Sequence, residues 1–317
     1  MTAARPSRMF SLLFVAASYR LPIVMTTVNR ALSGPINIHC DHSDSMGGRD
    51  TGWLQIYGED HQQAYDNCIQ AIRIAEHMDV RTPTMHMYDG YVISGAIGPL
   101  RMLPDAKVQE FIGPFKAINP LLDPKAPVTV GPFDGLRGFY FEHKVSQNRA
   151  MARAIRVVQE VADEYAELSG RNYGLIDPYR LEDAEIAIVV VGSTAGTTRM
   201  IVDKLRARGV KAGMVRVRLF RPFPYAEYAK ALEHVKVVGV LDRSDSFGAQ
   251  GGPVFLEVRS ALYDNDPRPQ VLPFLYGLGG RDIFPDNIEQ AFAVLEQAAQ
   301  GTGRVSTERR YLNLRED

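Results

Sequence analysis

Residues 20–57 read RLPIVMTTVNRALSGPINIHCDHSDSMGGRDTGWLQIY, and the order of chemistry along them decides the fold. Pro22 to Val28 is an apolar, β-branched run that reads as a buried strand and empties into Asn29-Arg30. A loop rich in Gly, Asp, Ser and His follows, then a second short apolar segment, Trp53 to Tyr57. Open α/β sheets place ligands beyond the carboxyl ends of their strands, and Arg30 stands at such an end. Its planar fork of donors suits a carboxylate or a phosphate, so an anionic small molecule is its natural partner. The competing reading pairs Arg30 with Asp41, Asp44 or Asp50 only to order the loop. Asp41-His42-Ser43-Asp44 also resembles a set of metal donors. Its spacing is poor for zinc, and short polar side chains in one tight loop more often bond the loop itself, so no metal site is expected. Asn29, His42 and Asp44 are lesser site candidates, placed to order Arg30 or enclose a substrate.

Working outward, Phe10, Leu13, Phe14 and Ala17 recur at helical spacing and predict an amphipathic helix packed on the sheet. Arg5 and Arg8 ahead of Met9–Ala17 give the outline of a signal peptide as the alternative. The apolar run falls short of the roughly 20 residues that span a bilayer. Downstream, Asp60 to His77 carries Tyr65, Cys68, Ile69, Ile72 and Ala75 on one helical face. Thr82 to Met87 predicts a strand that exits through Tyr88-Asp89-Gly90. This alternation implies a parallel sheet over residues 1–95.

Residues 96–182 are different. Pro99, Pro104, Pro114, Pro120, Pro124, Pro127 and Pro132 punctuate 96–146, which reads as an extended arm pressed against a partner. Gln147 to Leu168 is a strong helix. A second domain, 183–300, opens near Asp183. Ile186 to Val191 is continuously apolar, as a strand buried on both faces requires, and leads into Gly192-Ser-Thr-Ala-Gly-Thr-Thr198. Helix 225–234, strand 236–241, helix 254–263, strand 271–276 and helix 286–299 then predict a doubly wound sheet. The small residues 192–198 suit either a phosphate cradle at a helix N-terminus or tight strand–helix packing. Asp242-Arg243-Ser244 and Gly279-Gly280-Arg281-Asp282 close strands, with internal Asp–Arg pairing as the expected role. The tail, 301–317, is polar and expected to be loose.

Composition sets outer limits. The chain has 317 residues, 45% hydrophobic and 23% charged, ordinary for a globular protein. Thirty-six basic against 37 acidic residues leave a net charge of −1. That gives no electrostatic case for nucleic acid. Two cysteines, Cys40 and Cys68, provide neither a CxxC nor a cluster-binding run, which fits a reducing cytoplasm with no membrane anchor.

The stretch VNRALSGPINIHCDHSDSMGGRDTGWLQIY resembles the α subunit of the pyruvate:ferredoxin oxidoreductase (2-oxoacid:ferredoxin oxidoreductase) family. Asp89-Gly90, LLDPKAPVTVGP (121–132), RNYGLIDPYRLEDAE (171–185), VRLFRPFP (217–224), VLDRSDSFGAQGGP (240–253) and GLGGRDIFPDNI (277–288) resemble it in the same order.

The resemblance implies an α/β chain: part of a thiamine-diphosphate pyrimidine-binding domain followed by a transketolase C-terminal-like domain. It further implies oxidative decarboxylation of pyruvate to acetyl-CoA and CO2, or the reverse, with electrons to ferredoxin. Arg30 would bind the substrate carboxylate. Thiamine diphosphate with Mg2+ would be shared with a β-type subunit. Iron–sulfur clusters would sit on a δ-type subunit, and a γ-type subunit would complete the complex. The family's pyrimidine-binding glutamate is expected to be absent, with the first segment of its domain, and Glu59 and Glu76 are poor substitutes. Cofactor-binding residues are therefore left unassigned. A non-catalytic assembly subunit, or the same chemistry on oxalate or another 2-oxoacid, are the alternatives.

Overall fold

The Pro22–Val28 run forms β1 (Val24–Asn29), an edge strand of a four-stranded sheet ordered β1-β3-β2-β7. The computed structural model describes residues 6–315 except 119, 121, 130, 132, 133 and 303–307, and not the side chains of 6–9. Arg5, Pro132 and parts of the 121–132 and 301–317 segments thus lie outside the described residues. Helix α1 (Pro6–Ser18) precedes β1, as its periodicity predicts. Leu13, Ala16 and Ala17 are buried, and Trp53 Nε1 donates to the Leu13 carbonyl at 2.9 Å.

β2 (Leu54–Tyr57) and β3 (Thr84–Asp89) are parallel to β1 and to each other. Between them runs α3 (His61–Glu76), whose first turn is capped by the Asp60 carboxylate accepting from Gln63 N at 2.8 Å. The register sets Asn29 opposite Asp89, so both end their strands at one edge of the sheet. A short helix, α2 (Ser43–Gly47), lies in the connection after β1.

The second sheet has six strands in the order β10-β9-β8-β5-β6-β4. β5 (Ile186–Val191) and β8 (Val237–Asp242) are buried along their whole length, which is why their sequences run apolar without alternation. β6 (Ala212–Val217) and β9 (Gln270–Leu275) continue the parallel pattern, with α6 (Thr194–Ala207), α7 (Tyr225–Leu232), α8 (Pro253–Ala261) and α9 (Pro285–Ala299) between and after the strands. One core cluster joins Trp53, Met85 and Met87 of the first sheet to Val189, Val215 and Val240 of the second. The two sheets share apolar packing.

Five features depart from the sequence reading. The Pro-rich arm contains a helix, α4 (Asp105–Ile112), and the following helix, α5 (Tyr140–Ser169), starts seven residues before Gln147. β4 (Ile176–Tyr179), from the segment read as connecting arm, joins the second sheet antiparallel to β6. β7 (Leu219–Arg221) follows β6 after one residue yet pairs antiparallel with β2 of the first sheet. Finally, the tail is partly docked: β10 (Arg310–Tyr311) pairs with β9, and Arg309 Nη1 lies 3.0 Å from Asp245 Oδ1.

Arg218 is the single residue between β6 and β7, and it is fully buried. Its donors meet Asn67 Oδ1 at 3.1 Å, Gln70 Oε1 at 2.9 Å and the Gly174 carbonyl at 3.2 Å, with the Tyr173 ring against its face. Burial, with Arg216 nearby, pushes Arg218 down to about 9. Beside it, Asp66 is completely buried and accepts from Arg171 Nε at 2.7 Å, from Tyr165 at 2.6 Å and from Tyr173. These two knots fasten α3 and α5 to the chain that crosses between sheets.

Candidate active site

Arg30 leaves the end of β1 with its backbone N–H held by Asp44 Oδ2 at 2.9 Å. Its guanidinium lies over the Tyr91 ring, 5.4 Å from the centroid. The three carboxylates that the competing reading assigned to it are engaged elsewhere. Asp41 accepts from Ser43 N and Gly279 N, both at 2.9 Å. Asp44 accepts from Asn29 Nδ2 at 2.9 Å and Ser45 N at 2.7 Å besides the Arg30 backbone. Asp50 lies 3.7 Å from both Arg49 and Arg221. Among the described residues the Arg30 guanidinium has no acidic partner, so its fork of donors stays available for an external anion.

Of the lesser candidates, Asn29 and Asp44 meet beside Arg30 and His42 does not join them. Asn29 is buried, bonded through Nδ2 to Asp44 and to Ser45 Oγ at 2.8 Å, and its Oδ1 has no partner. His42 turns away from Arg30: Nε2 lies 2.8 Å from Asp89 Oδ1. The four residues 41–44 therefore do not close on one point as metal ligands would. Cys40, His42 and Asp89 do approach within 4.8 Å of one another. Arg243 Nη1 already sits 3.2 Å from Asp89, a fixed positive charge that opposes a metal cation there. Burial, with Asp89 close by, also pushes the Cys40 thiol up, away from the thiolate a metal takes.

Tyr91, Asp89, Ser193 and Arg243 are the site neighbours that reading by segment missed. Tyr91 holds φ at +61°, a left-handed backbone that costs a bulky residue ~1–3 kcal/mol and is retained where surroundings enforce it. Its ring stacks on His39 at 5.2 Å and underlies Arg30. Arg243 pairs across the sheets with Asp89, correcting the expected internal pairing. Asp242 instead accepts from Val254 N and Phe255 N, both at 2.9 Å, at the start of α8. Gly279 serves the loop after β1: its N–H meets Asp41 and its carbonyl accepts from Asn37 Nδ2 at 2.9 Å.

Charge at this edge depends on pH. Burial pushes the Asp44 carboxyl up to about 6 against the three donors that favour its ionised form. The unfolded chain releases this proton near the ordinary carboxylate value, so between the two the folded state binds more protons. This group's stability contribution is complete below about 4 and lost as pH rises through about 6. Wild type should thus lose stability relative to Asp44→Asn across that window, read by denaturant unfolding at a series of pH values. Parallel curves would refute the assignment.

Residues 6–163 match the family described as pyruvate flavodoxin/ferredoxin oxidoreductase, thiamine diphosphate-binding, and residues 184–288 match pyruvate:ferredoxin oxidoreductase core domain II. Pyruvate synthase subunit PorA of Thermotoga maritima is 49% identical over 97% of this chain and 77% of its own length. Two solved structures share the fold. A 2-oxoglutarate:ferredoxin oxidoreductase from Magnetococcus marinus, solved with 2-oxoglutarate, coenzyme A and succinyl-CoA, superposes with a TM-score of 0.58 at 19% identity. It covers 92% of this chain and 51% of that one. A split-gene transketolase, an inactive β4 tetramer, superposes with a TM-score of 0.52 at 12% identity, covering 96% of this chain and 75% of that one. The thiamine-diphosphate-binding family model thus covers three of the four strands of the first sheet, and the core domain II model covers the second sheet from β5 to β9. The chain belongs to the pyruvate:ferredoxin oxidoreductase family, as an oxidoreductase subunit of the PorA kind.

The described residues do not by themselves fit a thiamine diphosphate. Glu59 is engaged by Arg199 at 2.8 Å and Arg216 at 3.2 Å, and Glu76 closes α3. At the start of the loop read as a phosphate cradle, Gly192–Thr198, Asp89 accepts from Ser193 N at 3.1 Å and Ser193 Oγ at 2.6 Å. No helix is long and apolar enough to cross a membrane among the described residues.

Proposed function

We propose that this chain is the carboxylate-binding α-type subunit of a complex that interconverts pyruvate and coenzyme A with acetyl-CoA and CO2, exchanging electrons with ferredoxin. The observation that carries the reading is Arg30: a guanidinium at a strand's carboxyl end, held by its backbone and a ring face, with no acidic partner among the described residues. Such a group gives a 2-oxoacid's carboxylate two parallel charge-assisted bonds and so fixes the neighbouring carbonyl in orientation. The pyruvate assignment draws on the name of the Thermotoga relative.

Thiamine diphosphate with magnesium would be held jointly with a β-type subunit, and when bound would supply the chemistry of decarboxylation, leaving this chain to bind and orient the substrate carboxylate. The two cysteines supply no cluster run, so the iron–sulfur centres belong to a δ-type subunit, with a γ-type subunit completing the complex. We place the complex in the cytoplasm, a reading that two unpaired cysteines support.

The test is ferredoxin reduction by the complex purified from its source, with pyruvate, 2-oxoglutarate and oxalate as competing substrates. Pyruvate should give the highest kcat/KM, with turnover requiring coenzyme A. Preference for either other acid would reassign the substrate, and turnover indifferent to Arg30 would leave this chain an assembly role.

A further inference from the structure

The strand order of the second sheet marks where a sheet of this kind takes a ligand, and a side chain of the first sheet lies at that place. In an open doubly wound sheet the crevice lies outside the carboxyl ends of the strands where strand order reverses. Here β5 lies between β6 and β8, so the chain steps to one side of β5 and then returns to the other. The loops leaving β5 and β8 flank the reversal and contribute Gly192, Ser193 and Arg243. All three face the Asp89 carboxylate of the first sheet. Ser193 donates twice to Oδ2, Arg243 Nη1 lies 3.2 Å from the same oxygen, and His42 takes Oδ1. Gly192 has φ +71°, and a Cβ there would stand 2.6 Å from Asp89 Oδ1. Asp89 is completely buried. A carboxylate from within the chain thus occupies the place where such sheets bind a free anion.

Directly after Asp89 the chain turns against Arg30. Gly90 N–H donates to the Asn29 carbonyl at 3.2 Å, and a Cβ on Gly90 would lie 2.4 Å from that oxygen. Tyr91 then adopts its left-handed backbone beneath the guanidinium. Through His42 the same carboxylate also holds the loop between Arg30 and α2.

We propose that Asp89 is a positioning residue: seated in the second sheet's anion crevice, it fixes the Gly90-Tyr91 turn and loop 30–44, and so aims Arg30. The second sheet thereby sets the geometry of the carboxylate clamp instead of serving only as support. This inference rests on Arg30 being that clamp.

The experiment uses the assembled complex carrying Asp89→Asn, Asp89→Gly or Arg30→Ala. Misaiming Arg30 weakens substrate binding in ground and transition states alike, so KM for pyruvate should rise about tenfold in Asp89→Asn with kcat little changed. Asp89→Gly empties the crevice. Formate, a bare carboxylate, should then raise its thermal midpoint and lower its KM, while in wild type it only competes with substrate. If Asp89→Gly fails to assemble, Asp89→Asn decides alone, since it keeps the size and loses the charge. An unchanged KM in Asp89→Asn beside a raised KM in Arg30→Ala overturns the positioning role. Unchanged KM in both overturns the Arg30 reading beneath it.

Discussion

Replacing Arg30 with alanine in the assembled complex is expected to lower kcat/KM for pyruvate about 10- to 150-fold, the equivalent of losing a charged hydrogen bond of ~1.5–3 kcal/mol. The fold should tolerate the change. Among the described residues the guanidinium makes no ion pair or hydrogen bond and lies over the Tyr91 ring, which is 44% exposed, and a cation–π contact at an exposed site contributes ~0.5–1 kcal/mol. Arg30→Lys separates charge from shape. It keeps the positive charge but loses the fork, so it should recover part of the activity and fall short of wild type. Steady-state kinetics beside a thermal melt checks both halves. Intact turnover in Arg30→Ala, or a collapse of the melt instead of the kinetics, would return Arg30 to a loop-ordering role.

The largest stability effect should come from Asp66→Ala. Asp66 is fully buried on α3 and gathers Arg171 Nε, Arg171 Nη2, Tyr165 and Tyr173. Alanine leaves two buried hydroxyls without their acceptor and a partly buried guanidinium without its counter-charge. Removing one partner of a buried ion pair typically costs ~3–5 kcal/mol, far more than the net contribution of the intact pair. Tyr165→Phe should cost only about 1 kcal/mol, because it deletes a donor while Asp66 keeps its other partners. Denaturant unfolding gives both numbers as midpoint shifts at constant slope. Equal effects for the two variants would show that the residues do not act through a shared carboxylate.

Much of this fold was legible because its signals are local. The apolar runs at Val24–Asn29, Ile186–Val191 and Val237–Asp242 form strands, and the Phe10–Ala17 and Asp60–His77 periodicities form helices, within a few residues of the expected bounds. The misses share one cause. β7 is three residues long and separated from β6 only by Arg218, so no turn signal in the sequence marks where the chain passes from one sheet to the other. β4 contains a proline and pairs with a strand some 40 residues on, which no window of sequence displays. The two-residue β10 exists only because β9 offers it an edge.

The site divides in the same way. Arg30 stood out because a strand's end and a guanidinium are adjacent in sequence. Asp89, Ser193 and Arg243 meet across separations of 104 and 154 residues. Each had a bland local explanation: a strand exit, a packing loop, an internal ion pair. Only the packing of one sheet's edge against the other's makes them one group.

The measurement closest to the central claim is a structure of the assembled complex with pyruvate bound. The account predicts the substrate carboxylate within hydrogen-bond distance of the Arg30 guanidinium, over Tyr91 and beside the loop between β1 and α2. Pyruvate bound elsewhere, with the Arg30 guanidinium contacting only Tyr91 and solvent, would contradict it.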